Sequence, residues 1–203
     1  GLLQSREKRM VIQWTLYKDG VLNCAGVQKR RNSNYEMMKI GTLFNVTKGS
    51  LASESNIEGD YPFVTASEEW KTHTEYELDT EAIVYAVSAA GSLGRSHYVN
   101  GKFIASNLCL VLTSKNDPKH PINLEFYNCY FASIRKQIVS DLADGTSKLT
   151  ISADMFKDYY IDYIPYEEQL TFVKTKLREF LMLREKYKKA QEQLSEDIAM
   201  LAD

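Results

Sequence analysis

The sequence predicts an α+β fold, in which a β-rich domain is followed by a long C-terminal coiled-coil helix. Two observations predict the domain: short runs of β-branched and aromatic residues lie between turn residues, and strands and helices do not alternate regularly. A third observation predicts the helix. From Glu167 to Ala202 there is no glycine or proline, and apolar residues recur at alternating steps of three and four.

Length and charge exclude some classes of protein. The chain of 203 residues is 44% apolar, which is enough to fill one hydrophobic core. Its 25 lysines and arginines are balanced by 27 aspartates and glutamates, giving a net charge of −2. This balance argues against a polycationic nucleic-acid binder, although it allows a binder that concentrates its cations locally.

The sequence shows no targeting or metal-binding signal. The longest mostly apolar run, Ala82 to Gly91, is half of the ~20 residues that a transmembrane helix needs, and no signal peptide is visible. The three cysteines have no CxxC spacing and the three histidines stand singly, so a zinc or haem site is not expected. We therefore predict a cytoplasmic protein with reduced thiols and no metal of its own.

Residues 1–38 are predicted to be separate from the β-rich domain. An Asp19-Gly20 dipeptide between two apolar runs predicts a hairpin. The polar, basic stretch Gln28 to Asn34 then predicts a linker or an exposed loop, with a domain boundary near Met38. Because the chain begins without methionine, we expect it to be a segment of a longer protein, and one interpretation of residues 1–38 is the tail of an upstream domain.

The β-rich domain is predicted to span residues 39–165. Its one clear helix, Asn123 to Leu142, places apolar residues largely on one side. The Asn100-Gly101 dipeptide is one of the turns expected to bound the strands. Strands are predicted over Tyr61 to Ala66, Glu81 to Val87, Lys102 to Ala105, Leu108 to Leu112 and Tyr159 to Ile164.

Residues 166–203 are predicted to form a coiled-coil spacer or dimerisation helix roughly 50 Å long. A helix of that length cannot bury its whole apolar seam against a domain of this size, so part of it needs another helix. Basic residues crowd its first two-thirds and acidic residues its end, which favours antiparallel pairing with a second copy or a second half-subunit. The alternative is a helix that caps its own domain. The predicted interface residues are Leu170, Val173, Leu177, Phe180, Tyr187, Leu194, Ile198 and Leu201.

No motif in the sequence predicts catalysis. The Asn/Asp-Pro-Pro-aromatic loop of amino-methyltransferases, the phosphate-binding loops and the Gly-x-Ser-x-Gly elbow of serine hydrolases are all missing from it. Asp60 with Glu69 and Lys71 is only a faint match to a metal-dependent nuclease pattern. We therefore expect a non-catalytic protein.

A glycine-serine loop is the best candidate for a binding site. It runs from Ser88 to Ser106, where small residues let backbone amides approach a phosphate or a base edge, and Arg95 and Lys102 supply charge. The stretch Asp144 to Lys148 is a similar polar loop. The alternative is that both stretches are only tight turns.

Taken in order, these segments resemble the DNA specificity domain of type I restriction-modification systems, the S subunit family. The resemblance runs from about Lys39 to the C-terminus. Tyr166 interrupts the family's proline-rich step into its long helix, and only one recognition domain and one helix are present, where a full S subunit has two of each. The matching motifs are Ile40-Gly41-Thr42-Leu43-Phe44-Asn45-Val46-Thr47-Lys48-Gly49, Gly59-Asp60-Tyr61-Pro62-Phe63-Val64-Thr65-Ala66-Ser67, Ala82-Ile83-Val84 through Gly91-Ser92-Leu93-Gly94 to Phe103-Ile104-Ala105-Ser106, Asn123-Leu124-Glu125-Phe126-Tyr127, and Gly145-Thr146 through Ile164-Pro165-Tyr166-Glu167-Glu168-Gln169.

The resemblance implies a non-catalytic subunit that reads one half of a bipartite site in double-stranded DNA. It implies an adenine methyltransferase subunit and a restriction/translocase subunit as partners. S-adenosylmethionine, ATP and magnesium would be bound by those partners and not by this chain. The residues expected to contact DNA are Lys48, Ser67, Ser92, Arg95, Lys102 and Lys148.

Two other interpretations stay open. The chain could be the C-terminal recognition domain of a fused DNA adenine methyltransferase/restriction enzyme. It could also be a coiled-coil protein-interaction module that does not bind DNA. Salt-dependent binding to duplex DNA separates a DNA reader from such a module.

Overall fold

The structure is a computed structural model that describes residues 1–9 and 35–202. The predicted hairpin around Asp19-Gly20 and the basic stretch Gln28 to Asn34 lie outside the described residues. Residues 2–9 are helical (α1). Among the described residues, no helix is both long enough and apolar enough to cross a membrane.

The β-structure consists of a six-stranded sheet and a two-stranded ribbon. The strands are β1 (Glu36–Lys39), β2 (Phe44–Lys48), β3 (Tyr61–Val64), β4 (Lys71–His73), β5 (Leu78–Ala86), β6 (Ser96–Ala105), β7 (Cys109–Ser114) and β8 (Tyr160–Tyr163). The order in the sheet is β2-β7-β5-β6-β3-β4, and β3 pairs with β6 in parallel while the other neighbours are antiparallel. The ribbon pairs β1 with β8.

The helices lie mostly after the sheet in the chain. They are α2 (Ile40–Leu43), α3 (Leu124–Ser133), α4 (Arg135–Leu142), α5 (Ala153–Asp158), α6 (Tyr166–Phe172) and α7 (Arg178–Ala202), and a π-helical segment, Val173–Leu177, joins the last two. The Asn123 side chain caps α3 by accepting from the Phe126 amide. This architecture confirms the predicted α+β fold with a long C-terminal helix.

The two faces of the sheet pack into different cores. Alternation along β5 places Ile83 and Tyr85 against the aromatic residues of α3, including Phe131. The alternate residues of β5, Ala82 and Val84, point to the opposite face and join a second cluster with side chains from β3, β6 and β7. Because many residues of this second cluster are alanine or valine, the sheet can curl tightly around it.

The sheet curls until the chain after β2 meets the end of β6. The Ser50 and Leu51 amides donate to the Ala105 carbonyl at 3.0 and 3.1 Å, and the Gly49 amide donates to the Cys109 carbonyl at 2.9 Å. The backbones approach so closely that a Cβ on Gly49 would lie 1.9 Å from the carbonyl oxygen of Ser106. Only glycine fits at this closure.

The β1–β8 ribbon connects the N-terminal part of the domain to the base of the long helix. Its register runs from Glu36 opposite Tyr163 to Lys39 opposite Tyr160. The boundary predicted near Met38 falls within β1, where all four residues pair with β8. This pairing joins residues 36–38 to the β-rich domain.

A buried glutamine attaches the start of the long helix to the domain. The Gln169 side chain is 0% exposed, and its Oε1 accepts from the Asn123 amide at 2.7 Å. Its Nε2 donates to the carbonyls of Ile164 at 2.8 Å and Pro121 at 3.2 Å. These bonds link α6 to the segment that leads into α3, and so set the direction in which the helix leaves the domain.

The apolar seam of the long helix is divided between two environments. Leu177 and Phe180 are buried in the chain's own core and Val173 packs against that core, so these positions are closed to a partner helix. Leu194 is also buried, whereas Leu201 is 74% exposed. The half-buried seam residues are Leu170, Tyr187 and Ile198. Of the eight predicted interface residues, only Leu201 is mostly exposed, so the chain itself covers much of the seam, including Leu194 near its C-terminal end.

Two predictions of local structure were wrong. Asn100-Gly101 is not a turn, because both residues lie inside β6 and pair with β5, with Gly101 at a φ of 119°. The predicted helix Asn123 to Leu142 is two helices, which meet at Ile134 with φ −106° and ψ 12°. Ile134 is buried, so the break lies within the core. Neither feature follows from local sequence preference, since pairing and packing decide both.

Candidate nucleic-acid interface

Three loops meet at one end of the sheet: residues 65–70, 88–95 and 144–150. We call the surface that they form, together with His97 and Arg135, which bond to them, the loop face. The Arg95 Nη1 donates to the Ala66 carbonyl at 3.0 Å, which joins the first loop to the second. The Ile151 amide donates to the Val87 carbonyl at 2.8 Å, which brings the third loop beside the second. Loops far apart in the chain therefore form one surface.

The glycine-serine turn at the centre of the loop face has a defined geometry. The Ser92 amide donates to the Ala89 carbonyl at 3.1 Å, and the Gly94 amide donates to the Ala86 carbonyl at 2.8 Å. Gly91 and Gly94 have φ values of 73° and 78°, which side-chain-bearing residues rarely adopt. The turn is thus a structured part of the surface.

Arg135, at the start of α4, holds this turn in place through hydrogen bonds to two of its carbonyls. Its Nε donates to the Leu93 carbonyl at 2.8 Å and its Nη2 donates to the Gly91 carbonyl at 3.3 Å. Partial burial lowers the pKa of the Arg135 guanidinium, and the nearby positive charge of Arg95 lowers it further. No sequence signal identified Arg135, because its role depends on the packing of α4 against the turn.

Arg95 holds the same turn from the other side. Its Nη1 also donates to Ser92 Oγ, at 3.0 Å. Within residues 1–9 and 35–202, neither Arg95 nor Arg135 forms an ion pair with a carboxylate. The loop face therefore presents two neighbouring guanidinium groups whose charges are not neutralised there.

His97 and Trp70 form the aromatic part of the loop face. Their rings lie edge to face with centroids 5.7 Å apart, and Trp70 is 38% exposed. The His97 Nε2 donates to the Ser67 carbonyl at 2.7 Å. Burial lowers the pKa of His97, although its bond to the Ser67 carbonyl opposes the shift. His97 is thus held as a neutral donor that positions the 65–70 loop.

The other predicted residues are distributed around this surface. Ser67 is exposed and Ser92 is half-buried on the loop face, and Lys148 is exposed at the tip of the third loop. Lys48 ends β2, and the register across the sheet passes from it through Leu110 and Tyr85 to Ser96. Three strand spacings, roughly 14 Å along the curled sheet, separate Lys48 from the start of β6.

Lys102 lies apart from the loop face. It is seven residues further along β6 than Arg95, and its Nζ lies 5.0 Å from the centroid of the Tyr76 ring. The Tyr76 ring in turn lies 4.9 Å from that of Tyr61. The structure therefore places Lys102 in a separate patch of two tyrosines and a lysine.

A comparison with protein families decides the identity of this fold. The model for the type I restriction modification DNA specificity domain matches residues 32–190. The chain belongs to this family. A search of curated proteins found no match.

Solved structures of type I restriction-modification proteins share this fold. The S subunit of a type I restriction-modification system from M. genitalium is 18% identical, with a TM-score of 0.70 over 98% of this chain and 56% of that one. The HsdS subunit from Thermoanaerobacter tengcongensis is 13% identical, with a TM-score of 0.60 over 98% and 50%. A chain from a study of complex assembly and conformational transition of the type I R-M system is 11% identical, with a TM-score of 0.55 over 96% and 54%. The chain thus spans about half the length of these structures.

In this specificity domain, the motifs that carried the resemblance occupy the positions that close the fold. Gly49, the last residue of the first motif, closes the curled sheet, and Gly94 of the Gly91-Ser92-Leu93-Gly94 motif lies against α4. A Cβ on Gly94 would be 2.9 Å from side-chain atoms of Arg135 and Val139. The final Glu-Gln contributes Gln169, the buried anchor of the long helix. These motifs therefore position the loop face and the helix relative to each other.

Proposed function

We propose that this chain reads one half of a bipartite DNA site for a type I-like restriction-modification system. The observation that carries the proposal is the family match over residues 32–190. The loop face supports it, because three loops at one end of a rigid sheet can enter a groove together. The near-neutral net charge of −2 agrees with a binder whose cations are local.

We expect two kinds of contact with DNA, one with its phosphate backbone and one with its base edges. Arg95 and Lys148 on the loop face, and Lys48 at the end of β2, supply charges for phosphates, while Ser67 and Ser92 lie where a base edge can approach the backbone. Phosphate contacts set the register of the protein on the duplex, and base contacts select the sequence. Lys102 lies outside the loop face, so its contact with DNA requires a duplex that extends past it.

The second half-site would be read by a second recognition domain. Acidic residues at the end of α7 would lie beside the basic part of an antiparallel partner helix, in a second copy or another half-subunit. The paired helices would then set the distance between the half-sites. An adenine methyltransferase and a restriction/translocase subunit would supply catalysis and would bind S-adenosylmethionine, ATP and magnesium, so this cytoplasmic assembly needs no cofactor in the present chain.

Binding to duplex DNA tests the proposal. Mixed genomic fragments are incubated with the protein at low salt, alone and with a methyltransferase subunit, and retained fragments are sequenced. We expect retention that weakens as salt rises, and enrichment of one short sequence. Lys148→Glu should weaken retention about tenfold, because it reverses a charge on the loop face.

The matched control reverses the charge of a lysine elsewhere in the domain. Lys39→Glu changes the β1–β8 ribbon, where Lys39 lies 3.5 Å from Asp158. We expect it to change retention less than twofold. Absence of retention by the unaltered protein under both conditions would contradict the proposal, and would favour a protein-interaction module.

Helix pairing is tested at the exposed end of the seam. Leu201→Asp should weaken self-association by at least about tenfold, since it places a charge where an apolar side chain is to be buried. Met200→Asp is the matched control, because Met200 is 75% exposed and Leu201 is 74% exposed, but only Leu201 lies on the seam. Sedimentation over a range of concentrations measures both. Equal effects of the two substitutions, or a monomer at every concentration, would show that the seam does not pair with another copy.

A further inference from the structure

Arg95 and Arg135 form a pair of like charges on the glycine-serine turn. Arg95 is attached to Ser92 Oγ, and Arg135 to the carbonyls of Gly91 and Leu93. Every acceptor that the described residues offer them is a neutral oxygen. Two guanidinium groups fixed on one turn of four residues repel each other, so an anion between them would stabilise the arrangement.

Both guanidiniums keep donors that are available to an anion. A guanidinium has five N–H donors. Arg95 uses Nη1 for both of its bonds, and no described residue accepts from its Nε or Nη2. Arg135 uses Nε and Nη2, and no described residue accepts from its Nη1. Arg95 therefore offers the forked Nε and Nη2 donors, which match two oxygens of a phosphate, and Arg135 adds Nη1.

The same bonds hold the donors in place before any ligand arrives. Arg135 is fixed to two carbonyls of the turn, and its Cγ lies 2.9 Å from the position that a Cβ on Gly94 would take. Arg95 is fixed to Ala66 in the neighbouring loop. Because both side chains are already ordered, binding an anion costs little additional conformational entropy.

We propose that Arg95 and Arg135 together form a phosphate site, which binds one phosphodiester of the DNA backbone beside the glycine-serine turn. The inference rests on the proposed function for the source of the phosphate. It assigns Arg135 a double role, as support of the turn and as ligand. A phosphate held here would fix the register of the loop face on the duplex while Ser67 and Ser92 face the groove.

Two measurements test the site. In the first, the Nε–Hε NMR signals of the arginines are followed while inorganic phosphate is added, with chloride as the control anion. We expect phosphate to shift the signals of both Arg95 and Arg135 in a saturable manner. In the second, affinity for a mixed-sequence duplex is measured against salt for Arg135→Gln, Arg135→Lys and Lys136→Gln.

Arg135→Gln should weaken duplex binding about tenfold and reduce the slope of log affinity against log salt by about 1, as expected for the loss of one phosphate contact. Arg135→Lys should keep the slope, because it keeps the charge but loses the forked bonds to the turn. Lys136→Gln removes a charge from an exposed neighbour on α4 and should change affinity less than threefold. Circular dichroism verifies that each variant is folded.

The outcomes separate this site from the proposed function. If Arg135→Gln and Lys136→Gln have equal slopes, or Arg135→Lys reduces the slope as much as Arg135→Gln, then Arg135 only supports the turn and the inference is wrong. If the unaltered protein retains no DNA but phosphate shifts both arginine signals, the phosphate site stands and the proposed function fails. If phosphate shifts neither signal, the phosphate site is overturned.

Discussion

Gly49→Ala is expected to lower the free energy of unfolding by about 3 kcal/mol, and the melting temperature by roughly 6–12 °C. The added Cβ would lie 1.9 Å from the Ser106 carbonyl oxygen and 2.9 Å from that of Ala105, so the two backbones must separate. Separation breaks the bonds from Ser50 and Leu51 to Ala105 that close the sheet. Urea unfolding followed by circular dichroism measures the change.

Gly91→Ala is the control that separates steric contact from backbone conformation. Gly91 has a φ of 73°, but a Cβ there would meet no atom within 4 Å. This substitution should therefore cost only about 1 kcal/mol, from the left-handed conformation alone. If Gly49→Ala is no more harmful than Gly91→Ala, the sheet does not close as the structure shows.

Gln169→Ala is also expected to lower the free energy of unfolding by about 3 kcal/mol. The substitution leaves the Asn123 amide and the carbonyls of Ile164 and Pro121 buried without their partner, and each orphaned group carries a desolvation penalty. A cavity adds to the cost, because the Gln169 side chain is fully buried. Urea unfolding measures the loss.

Gln193→Ala is the matched control for this substitution. Gln193 lies on the same helix, and its Nε2 donates to Asp197 on the exposed surface. We expect a change below about 0.5 kcal/mol, because water replaces an exposed partner. A similar loss for both variants would mean that Gln169 does not anchor the helix.

Much of the fold could be predicted because its elements depend on local patterns. The apolar run predicted from Glu81 to Val87 is most of β5, and the run from Leu108 to Leu112 is most of β7. The long helix followed from its period and from the absence of glycine and proline. The helix predicted to begin at Asn123 followed from its apolar periodicity, and the Asn123 side chain caps α3 in the structure.

Other elements escaped prediction because tertiary pairing outweighs local preference. Asn100-Gly101 has the composition of a turn, yet it lies inside β6 because β5 pairs with it along its length. β4 was missed because this strand, Lys71–His73, has only three residues and all of them are polar. All eight seam residues of the long helix were predicted to lie at a dimer or partner interface, whereas Leu177 and Phe180 belong to the core of the domain.

The candidate site shows the same division. The glycine-serine turn and Arg95 could be recognised from their residue types, because small residues and a cation mark a surface that approaches a ligand. Arg135 and Trp70 carry no such mark in the sequence. They join the loop face only because α4 packs against the turn and the loop after β3 crosses the start of β6.

By itself, the sequence determined the fold class, the long helix, the order of the family motifs and the turn that carries Arg95, because each depends on neighbouring residues along the chain. The tertiary structure alone decided which side chains share a surface. The sheet closes at Gly49, near the start of the β-rich domain in the chain. Gln169, which follows the last strand of that domain, anchors the long helix. Pairing and packing between residues far apart in the chain bring Arg95 and Arg135 onto one turn, and they leave Leu201 as the one mostly exposed residue of the predicted helix seam.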